Sequence, residues 1–386
     1  MFKKIPRNVI FLGLVSLFND IASEMVYPII PIFLTSILGV PVTVVGLIEG
    51  IAEGTASFMR FVSGYISDRF YKRKIFVTSG YSLSSISKPI IGLAHSWPLV
   101  LFARFIDRLG KGVRTSARDS MLLQNATSEN KGYIFGFHRA MDSAGAVFGP
   151  LIALLLLYFL NNNMRLIFLI AFVPSVIGVF LLIFLVKERQ TPKGERKFKF
   201  DFKWKSLNSK FKFFLLVSLV FTIGNSSDAF LILRAKNLGL TTILATLTYV
   251  LYNFSQTIFD TPAGSLADKI GAKKVYSYGL LVFTAVYFAF GIIHNSVWIW
   301  FLFPLYGVYI AATDGVSRAY ISEFMTEKQS GTYFGIYQTG IAITTFLASF
   351  IGGVLWSAFG PQYTFFYGSA AALLAFLILS YAKTKI

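Results

Sequence analysis

Apolar residues dominate long stretches of this chain, and short polar or glycine-containing segments separate those stretches from one another. Most of the stretches are about 20 residues or longer, the length that an α-helix needs to cross the hydrocarbon core of a bilayer. Strands of a membrane barrel would be about 10 residues long and would alternate in polarity. The pattern therefore predicts an all-α integral membrane protein with twelve transmembrane helices. The predicted spans cover residues 8–38, 43–66, 75–94, 97–120, 132–160, 165–186, 212–236, 241–264, 275–294, 296–321, 331–356 and 361–382.

The polar pattern contains an internal repeat. The segment Gly64-Tyr-Ile-Ser-Asp68-Arg69-Phe-Tyr-Lys-Arg73-Lys74 recurs as Gly264-Ser-Leu-Ala-Asp268-Lys-Ile-Gly-Ala-Lys273-Lys274, with the glycine, the aspartate and the final lysine unchanged. Later in each half, Lys131-Gly-Tyr-Ile-Phe-Gly136 corresponds to Ser330-Gly-Thr-Tyr-Phe-Gly335. The repeat predicts two homologous six-helix halves, one at each end of the chain. Their predicted ranges are 1–186 and 212–386, with a basic cytoplasmic linker over 187–211.

Composition supports a membrane protein and argues against several other classes. The chain is 55% hydrophobic and only 14% charged, whereas soluble domains carry about 25% charged residues. It has no Cys, which excludes disulfides and thiolate metal sites. The first apolar run is too long for a cleavable signal peptide and lacks its small-residue cleavage site. No nucleotide-binding loop, nucleophile motif or His-rich cluster appears, so we expect no enzyme, no metal and no cofactor beyond an ion gradient.

The net charge of +18 is concentrated on one side of the predicted membrane. Lys and Arg occur before the first span, after spans two, four and eight, and at the end of the chain, whereas connections 39–42, 95–96 and 357–360 have none. The positive-inside rule then predicts that both termini are cytoplasmic. We expect a multi-pass protein of a bacterial or archaeal plasma (inner) membrane whose basic side contacts lipid headgroups rather than nucleic acid.

Three segments resemble signatures of the major facilitator superfamily (MFS). Gly64, Asp68, Arg69, Arg73 and Lys74 are similar to the family's cytoplasmic motif after the second helix. The segment Arg104-Phe-Ile-Asp-Arg108-Leu-Gly110-Lys-Gly112 resembles its span-four motif, although Asp107, Arg108 and Lys111 replace an amide, a glycine and a small residue. Finally, Gly145-Ala-Val-Phe-Gly149-Pro150 resembles the span-five motif of the family's antiporters.

The resemblance implies two pseudo-symmetric six-helix bundles and secondary transport of a small molecule by alternating access. It also implies a proton-coupled antiporter that needs no cofactor other than the proton gradient. We expect the protein to act as a monomer.

The repeated charged segment is predicted to close the cytoplasmic side of the carrier. A carboxylate at Asp68 can pair with basic residues at the facing helix ends, and Gly64 permits close backbone approach. The alternative is that these charges only anchor the topology. We expect the first copy to form the stronger latch because Arg can pair bidentately and Lys cannot. The candidate gate residues are Gly64, Asp68, Arg69, Arg73, Asp268 and Lys269.

Charges within the spans are costly, about 2.5–3.5 kcal/mol each on insertion scales, and they therefore need partners. We expect acidic faces of spans one and two to meet the basic face of span four, and Arg60 to pair with Asp260 at the equivalent position of the other half. Gly145, Gly149 and Pro150 are expected to permit tight packing and a kink in span five. The candidate ion-pair residues are Arg60, Arg104, Asp107, Arg139, Asp142 and Asp260.

The remaining polar residues near helix centres are candidates for transport itself. Carboxylates in a low-dielectric cavity can couple proton binding to movement, and the candidates are Glu24, Glu53, Asp20 and Glu49. Cations of span four suit an anionic group of a substrate, and polar residues of the second half suit hydrogen bonding. The candidate substrate residues are Arg108, Lys111, Arg114, Asn225, Asp228, Asn253, Gln256 and Gln338.

Three functions are compatible with these residues. The first is proton-coupled export of a small organic solute, which the span-five motif favours. The second is import or exchange of an organic anion, which the span-four cations favour. The third, from a different class, is a non-transporting or lipid-translocating membrane protein with the same scaffold.

Overall fold

The computed structural model describes residues 5–70, 73–126, 130–188, 207–325 and 330–381, and within these ranges it omits the side chains of residues 61, 64–70, 131–132 and 330–332. Its secondary structure over the described residues is helical. The helices are α1 (Arg7–Val26), α2 (Ile30–Ile32), α3 (Val42–Phe70), α4 (Arg73–Gly92), α5 (Trp97–Gln124), α6 (Lys131–Phe159), α7 (Met164–Leu185), α8 (Ser209–Thr222), α9 (Ala229–Asn237), α10 (Thr242–Ile270), α11 (Ala272–Ile292), α12 (Ile299–Ser322), α13 (Ser330–Phe359) and α14 (Pro361–Tyr381).

These helices form twelve transmembrane spans, because α1 and α2 together form the first span and α8 and α9 together form the seventh. Eight of the described helical segments are long enough and apolar enough to cross a membrane, judged by length and composition alone. The spans formed by α4, α5, α8 with α9, and α10 are more polar or are interrupted. The charged residues of α5, which include Arg104, Asp107 and Arg108, lower the hydropathy of that span.

The first span is interrupted, although the sequence predicted one continuous helix over 8–38. Residues 27–29 form a turn between α1 and α2, and a π-helical turn over Phe33–Ile37 completes the span. Pro28 has no backbone N–H and therefore cannot continue the α-helical hydrogen-bond ladder. The interruption places Tyr27 beside the polar residues at the end of α1.

The seventh span is also interrupted, which corrects the prediction of a continuous helix over 212–236. Helix α8 ends at Thr222 and α9 begins at Ala229, with Ile223-Gly-Asn-Ser-Ser-Asp228 between them. A Cβ atom on Gly224 would lie 2.4 Å from Cβ of Ala371, so the backbone of this break packs directly against α14. The break leaves Asn225 and Asp228 in the middle of the span.

The repeated charged segments were expected to be loops, and the structure instead extends the second helix of each half through most of them. Helix α3 continues to Phe70 and α10 continues to Ile270, where Gly271 with φ of 95° permits the turn into α11. Helix α5 similarly extends to Gln124, so Arg118 lies on a helix and not in a connection.

The residues fall into two compact units. The first comprises Met1–Gly39 and Ile51–Arg196, and the second comprises Val40–Gly50 and Lys197–Ile386. In the first unit α1 packs against α6 and α7, and α4 packs against α5 and α7. In the second unit α10 packs against α12, and α11 packs against α12 and α14. The predicted division of the chain at 187–211 stays a prediction, and residues 189–206 of that linker lie outside the described residues.

Candidate functional site

The first unit contains a small polar cavity. Helix α1, the Tyr27 turn and helix α5 supply all of its lining residues. This lining combines carboxylates and cationic side chains within one space, an arrangement that is costly unless the charges offset one another. The lining residues are Asp20, Ser23, Glu24, Tyr27, Arg104, Asp107, Arg108, Lys111 and Arg114.

Asp20 and Glu24 reach the cavity from one face of α1, since residues four apart lie on the same side of a helix. Two glycines of α6 bring the neighbouring backbone close to them. A Cβ atom on Gly145 would lie 2.7 Å from Cβ of Asp20, and one on Gly149 would lie 2.8 Å from Cβ of Glu24. The glycines of the span-five motif therefore position α6 directly against the acidic residues of α1. Helix α6 continues through Pro150 without interruption.

Helix α5 presents its charges on one face because they recur at three- and four-residue spacing. Arg108 Nη2 lies 3.0 Å from Glu53 Oε1 of α3. Arg104 Nη1 lies 3.7 Å from Asp107 Oδ2. The guanidinium groups of Arg104 and Arg108 lie 5.4 and 5.6 Å from the ring centroid of Tyr27, within the range of a cation–π interaction. An acid of α3 thus meets the basic face of α5.

Lys88 of α4 is a functional candidate that was not among the residues predicted from the sequence. Its Nζ lies 3.1 Å from Oδ1 of Asp107 and donates hydrogen bonds to the carbonyl oxygen of Ser84 at 2.7 Å and to Ser23 Oγ at 3.2 Å. Its side chain is 2% exposed. A lysine within an apolar span is costly unless it has a partner. The rule that pointed to the other charged residues within spans therefore also points to Lys88.

Arg114 is held further along the same face, toward the C-terminal end of α5. Its Nη1 donates a hydrogen bond of 2.7 Å to Ser84 Oγ, and its guanidinium lies 4.4 Å from the ring centroid of Tyr81. These contacts hold the guanidinium of Arg114 in place, and Arg114 and Lys111 both line the cavity.

A second group of charges surrounds Asp142 on α6. Its Oδ1 accepts a hydrogen bond of 2.5 Å from Ser16, and its Oδ2 lies 3.9 Å from Arg118 Nη1 and 3.4 Å from His138 Nδ1. The side chain of Arg139 is exposed and has no ion-pair partner among the described residues. The expected pair of Arg60 with Asp260 stays a prediction.

The candidate gate residues are only partly described. The side chains of Asp68 and Arg69, and the surroundings of Gly64, lie outside the described part of the structure. Arg73 Nη1 donates a hydrogen bond of 3.5 Å to the carbonyl oxygen of Ser120. In the second copy of the motif, Asp268 and Lys269 are exposed.

The second unit brings a different set of candidates together. Asp228 accepts hydrogen bonds from the hydroxyls of Tyr252 at 2.7 Å and Tyr306 at 2.6 Å. Asn225 Nδ2 donates to the hydroxyl of Tyr309 at 2.9 Å. The aspartate and the amide were predicted from the sequence, whereas the tyrosines were not.

The other polar candidates of the second unit have contacts of their own. Glu49, which is 1% exposed, belongs to this unit and accepts a hydrogen bond of 3.5 Å from Ser227 Oγ. Asn253 Nδ2 donates to the carbonyl oxygen of Tyr249 at 2.9 Å, within its own helix. Gln256 and Gln338 are half-buried.

Comparison with known proteins identifies the family. The sequence profile of the Major Facilitator Superfamily matches residues 12–249 and 213–385. An uncharacterized MFS-type transporter of Methanocaldococcus jannaschii is 36% identical over 385 residues, which cover 98% of this chain and 95% of that protein. The multidrug resistance protein MdtH of Salmonella is 28% identical over 135 residues, which cover 35% of this chain and 33% of that protein.

Solved structures share the fold. A mutant of the nucleoside transporter NupG has a TM-score of 0.81 at 11% identity, covering 97% of this chain and 99% of that chain. A POT family transporter in complex with 5-aminolevulinic acid has a TM-score of 0.81 at 13% identity, covering 98% and 96%. The family profile, the Methanocaldococcus relative and the two solved structures each match nearly the whole chain and agree with the twelve-helix architecture. The protein is therefore a membrane transporter, and not an enzyme, that belongs to the major facilitator superfamily.

Proposed function

We propose that the protein is a proton-coupled secondary transporter that exports a small organic solute by antiport. The observation that carries the proposal is the location of Asp20 and Glu24 in one cavity with Arg108 and Lys111. Carboxylates that face a cavity can exchange protons with water, whereas carboxylates sealed in a core cannot. Charged groups at this depth of a membrane protein are typical of ion and substrate pathways.

Competition for one carboxylate provides the coupling. A carboxyl group that holds a proton is neutral and no longer attracts a cationic group. A solute cation in the transport pathway is attracted by the negative charge of Asp20 or Glu24, so its binding favours release of the proton, and proton binding favours release of the solute. Alternating access then exchanges the two across the membrane, because each state of the carrier holds either a proton or the solute.

Exchange or import of an organic anion is the second candidate, and the composition of the cavity favours it. Four basic side chains line the space, at positions 104, 108, 111 and 114, against three carboxylates, at positions 20, 24 and 107. In that mechanism protonation of Glu53 would release Arg108 to bind the anion, so that proton and anion would move in the same direction.

Reconstituted protein distinguishes these mechanisms. Purified protein is first screened for compounds that raise its melting temperature, using organic cations, organic anions and neutral solutes. Each stabilising compound is then applied to proteoliposomes that contain a pH-sensitive dye. Antiport predicts proton movement opposite to the solute, and symport predicts movement in the same direction. If no stabilising compound moves protons in either direction, proton coupling is wrong.

Two variants test the acids directly. Glu24→Gln and Asp20→Asn keep the size of each side chain but remove the proton-binding site. We expect at least one of them to abolish accumulation driven by a proton gradient while solute exchange continues in part. Asp314→Asn is the matched control, because Asp314 is 57% exposed and pairs with Arg318 at 3.9 Å. Unchanged accumulation in both cavity variants would remove these acids from the mechanism.

The location and orientation belong to the same proposal. We propose a bacterial or archaeal plasma membrane, with both termini in the cytoplasm, because Lys and Arg are concentrated in the connections on that side. Labelling of single cysteines introduced in connections 39–42 and 95–96 of intact cells tests the orientation, and labelling only after permeabilisation would contradict it.

A further inference from the structure

The break between α8 and α9 presents a carboxylate that two tyrosines hold in place. Asp228 Oδ2 accepts a hydrogen bond of 2.7 Å from Tyr252 of α10, and Oδ1 accepts one of 2.6 Å from Tyr306 of α12. Tyr252 and Tyr306 are 4% and 2% exposed, whereas Asp228 is half-buried. The two hydroxyls therefore fix the orientation of the carboxylate, while part of its surface stays accessible.

Two of the four tyrosines whose rings pack together here donate hydrogen bonds to this carboxylate. Tyr252 and Tyr306 are nearly perpendicular, with ring centroids 5.5 Å apart and an interplanar angle of 84°. Tyr249 meets Tyr252 edge-on at 5.0 Å, and Tyr309 lies 5.1 Å from Tyr306. The faces of aromatic rings carry negative electrostatic potential, and they attract organic cations more strongly where water is excluded. The rings and the carboxylate therefore both favour a positively charged ligand group.

The same break contains a hydrogen-bond acceptor without a donor. Asn225 Nδ2 donates to the hydroxyl of Tyr309 at 2.9 Å, but its Oδ1 is buried and has no hydrogen-bond partner among the described residues. A buried acceptor without a partner costs free energy. An N–H group of a ligand would satisfy it. Asn225 and Asp228 belong to the same break between α8 and α9 and are three residues apart in sequence.

Basic residues of this unit are located toward the ends of its helices. Arg234 Nη2 donates to the carbonyl oxygen of Ile293 at 2.7 Å, and its Nε donates to the carbonyl oxygen of Phe290 at 3.1 Å. The sequence has no Lys or Arg over residues 237–268 or 275–317. The charge of this region is therefore opposite to that of the basic face of α5, and it disfavours anions.

We propose that this group, the Asp228 cluster (Asn225, Asp228, Tyr252, Tyr306 and Tyr309), binds the protonated amine of the transported solute. The ammonium donates hydrogen bonds to Asp228 and to Oδ1 of Asn225, and the ring faces contact its apolar substituents. This assignment rests on the proposed transport function and narrows its substrate class to organic amines with an apolar or aromatic body.

Equilibrium binding to the purified full-length protein tests the assignment. The probes are phenethylammonium, its neutral analogue 2-phenylethanol and the anion phenylacetate, all at about pH 7, where the amine is protonated and the carboxylate ionised. We expect phenethylammonium to bind at least about tenfold more tightly than the other two. Asp228→Asn is expected to weaken phenethylammonium binding by about tenfold or more, since it removes the charge and keeps the size. Asp314→Asn, the matched control on an exposed carboxylate, is expected to leave binding unchanged within about twofold.

A second variant keeps the test decisive if Asp228→Asn does not fold. Asn225→Ala removes the acceptor that serves an N–H donor. It is expected to weaken phenethylammonium several-fold and to leave benzyltrimethylammonium, which has no N–H group, within about twofold of the wild-type protein. Equal losses for both probes would refute the role of the amide, and wild-type affinity in both variants would refute the site.

The outcome is separable from that of the proposed function. Amine binding without proton movement in proteoliposomes would retain the Asp228 cluster as a binding site and contradict proton coupling. Proton movement coupled only to neutral or anionic solutes would support proton coupling and contradict the Asp228 cluster as the amine-binding site.

Discussion

Lys88 Nζ lies 3.1 Å from Oδ1 of Asp107, and this ion pair joins α4 to α5 where both side chains are almost fully buried, at 2% and 12% exposure. The same ammonium group donates to Ser23 of α1 at 3.2 Å. One lysine therefore connects three helices beside the cavity that contains Asp20 and Glu24. Burial makes such a pair sensitive to the loss of either partner, because the remaining charge has no water to solvate it.

Lys88→Met is expected to lower the free energy of unfolding by about 3 kcal/mol, since it leaves Asp107 with less compensation in a buried position. Arg318→Met is the control: Arg318 and Asp314 are 54% and 57% exposed, and exposed pairs contribute about 0–1 kcal/mol. Unfolding in detergent with increasing denaturant measures both. The double variant Lys88→Met/Asp107→Leu is expected to recover part of the loss. Equal losses of stability in Lys88→Met and Arg318→Met would contradict a larger contribution from the buried pair.

The pair of Glu53 and Arg108 is expected to be coupled energetically. A double-mutant cycle with Glu53→Gln and Arg108→Gln is predicted to give a coupling of about 1–3 kcal/mol in stability, because the two groups lie 3.0 Å apart and Arg108 is 9% exposed. The Asp314–Arg318 pair provides the reference cycle, with an expected coupling below about 0.5 kcal/mol. Indistinguishable couplings would show that the Glu53 pair is effectively solvated.

Glu53→Gln has a further expected consequence for transport. If release of Arg108 from Glu53 is part of the cycle, the variant loses accumulation driven by a proton gradient while exchange continues in part. Flux assays in proteoliposomes with and without a gradient measure the two separately. Full accumulation in Glu53→Gln would restrict this pair to a structural role.

The packing of α4 on α5 depends on two glycines. A Cβ atom on Gly110 would lie 2.4 Å from the carbonyl oxygen of Gly80, which is backbone and cannot move aside as a flexible side chain does. Gly110→Ala is therefore expected to destabilise the protein by about 1–3 kcal/mol. Gly136→Ala is the matched control, because no described atom lies within 4 Å of a Cβ atom there. It is expected to be neutral or to stabilise by up to about 1 kcal/mol. Thermal unfolding of both variants checks the difference, and a stabilising Gly110→Ala would be incompatible with the close contact.

The two copies of the charged motif are expected to differ in strength. Asp68→Asn is predicted to increase the accessibility of the cytoplasmic cavity more than Asp268→Asn does, because Arg69 and Arg73 can form bidentate pairs and Lys269 cannot. The sequence has no Cys, so a single cysteine introduced at a cavity position can be labelled without background. Equal labelling rates in the two variants would contradict the asymmetry.

Much of the architecture followed from the sequence. The length of the apolar runs determined the number of spans, because a helix must cover a fixed membrane thickness. The repeat of Gly64 to Lys74 at Gly264 to Lys274 indicated two related halves, and together with the other motifs it identified the family before any comparison. The spacing of Arg104, Asp107, Arg108 and Lys111 placed these charges on one helix face, since helical period alone decides that relationship.

The tertiary structure decided which charges meet. Helical period places Glu53 on a face of α3 but says nothing about the partner helix, and only packing brings it to Arg108 at 3.0 Å. The break at 223–228 likewise requires α14 to receive the backbone at Gly224, a contact between residues far apart in sequence. The hydroxyls of Tyr252 and Tyr306 reach Asp228 for the same reason. Local sequence determines helices and their faces, whereas pairing across helices depends on their packing angles and registers, which no single segment encodes.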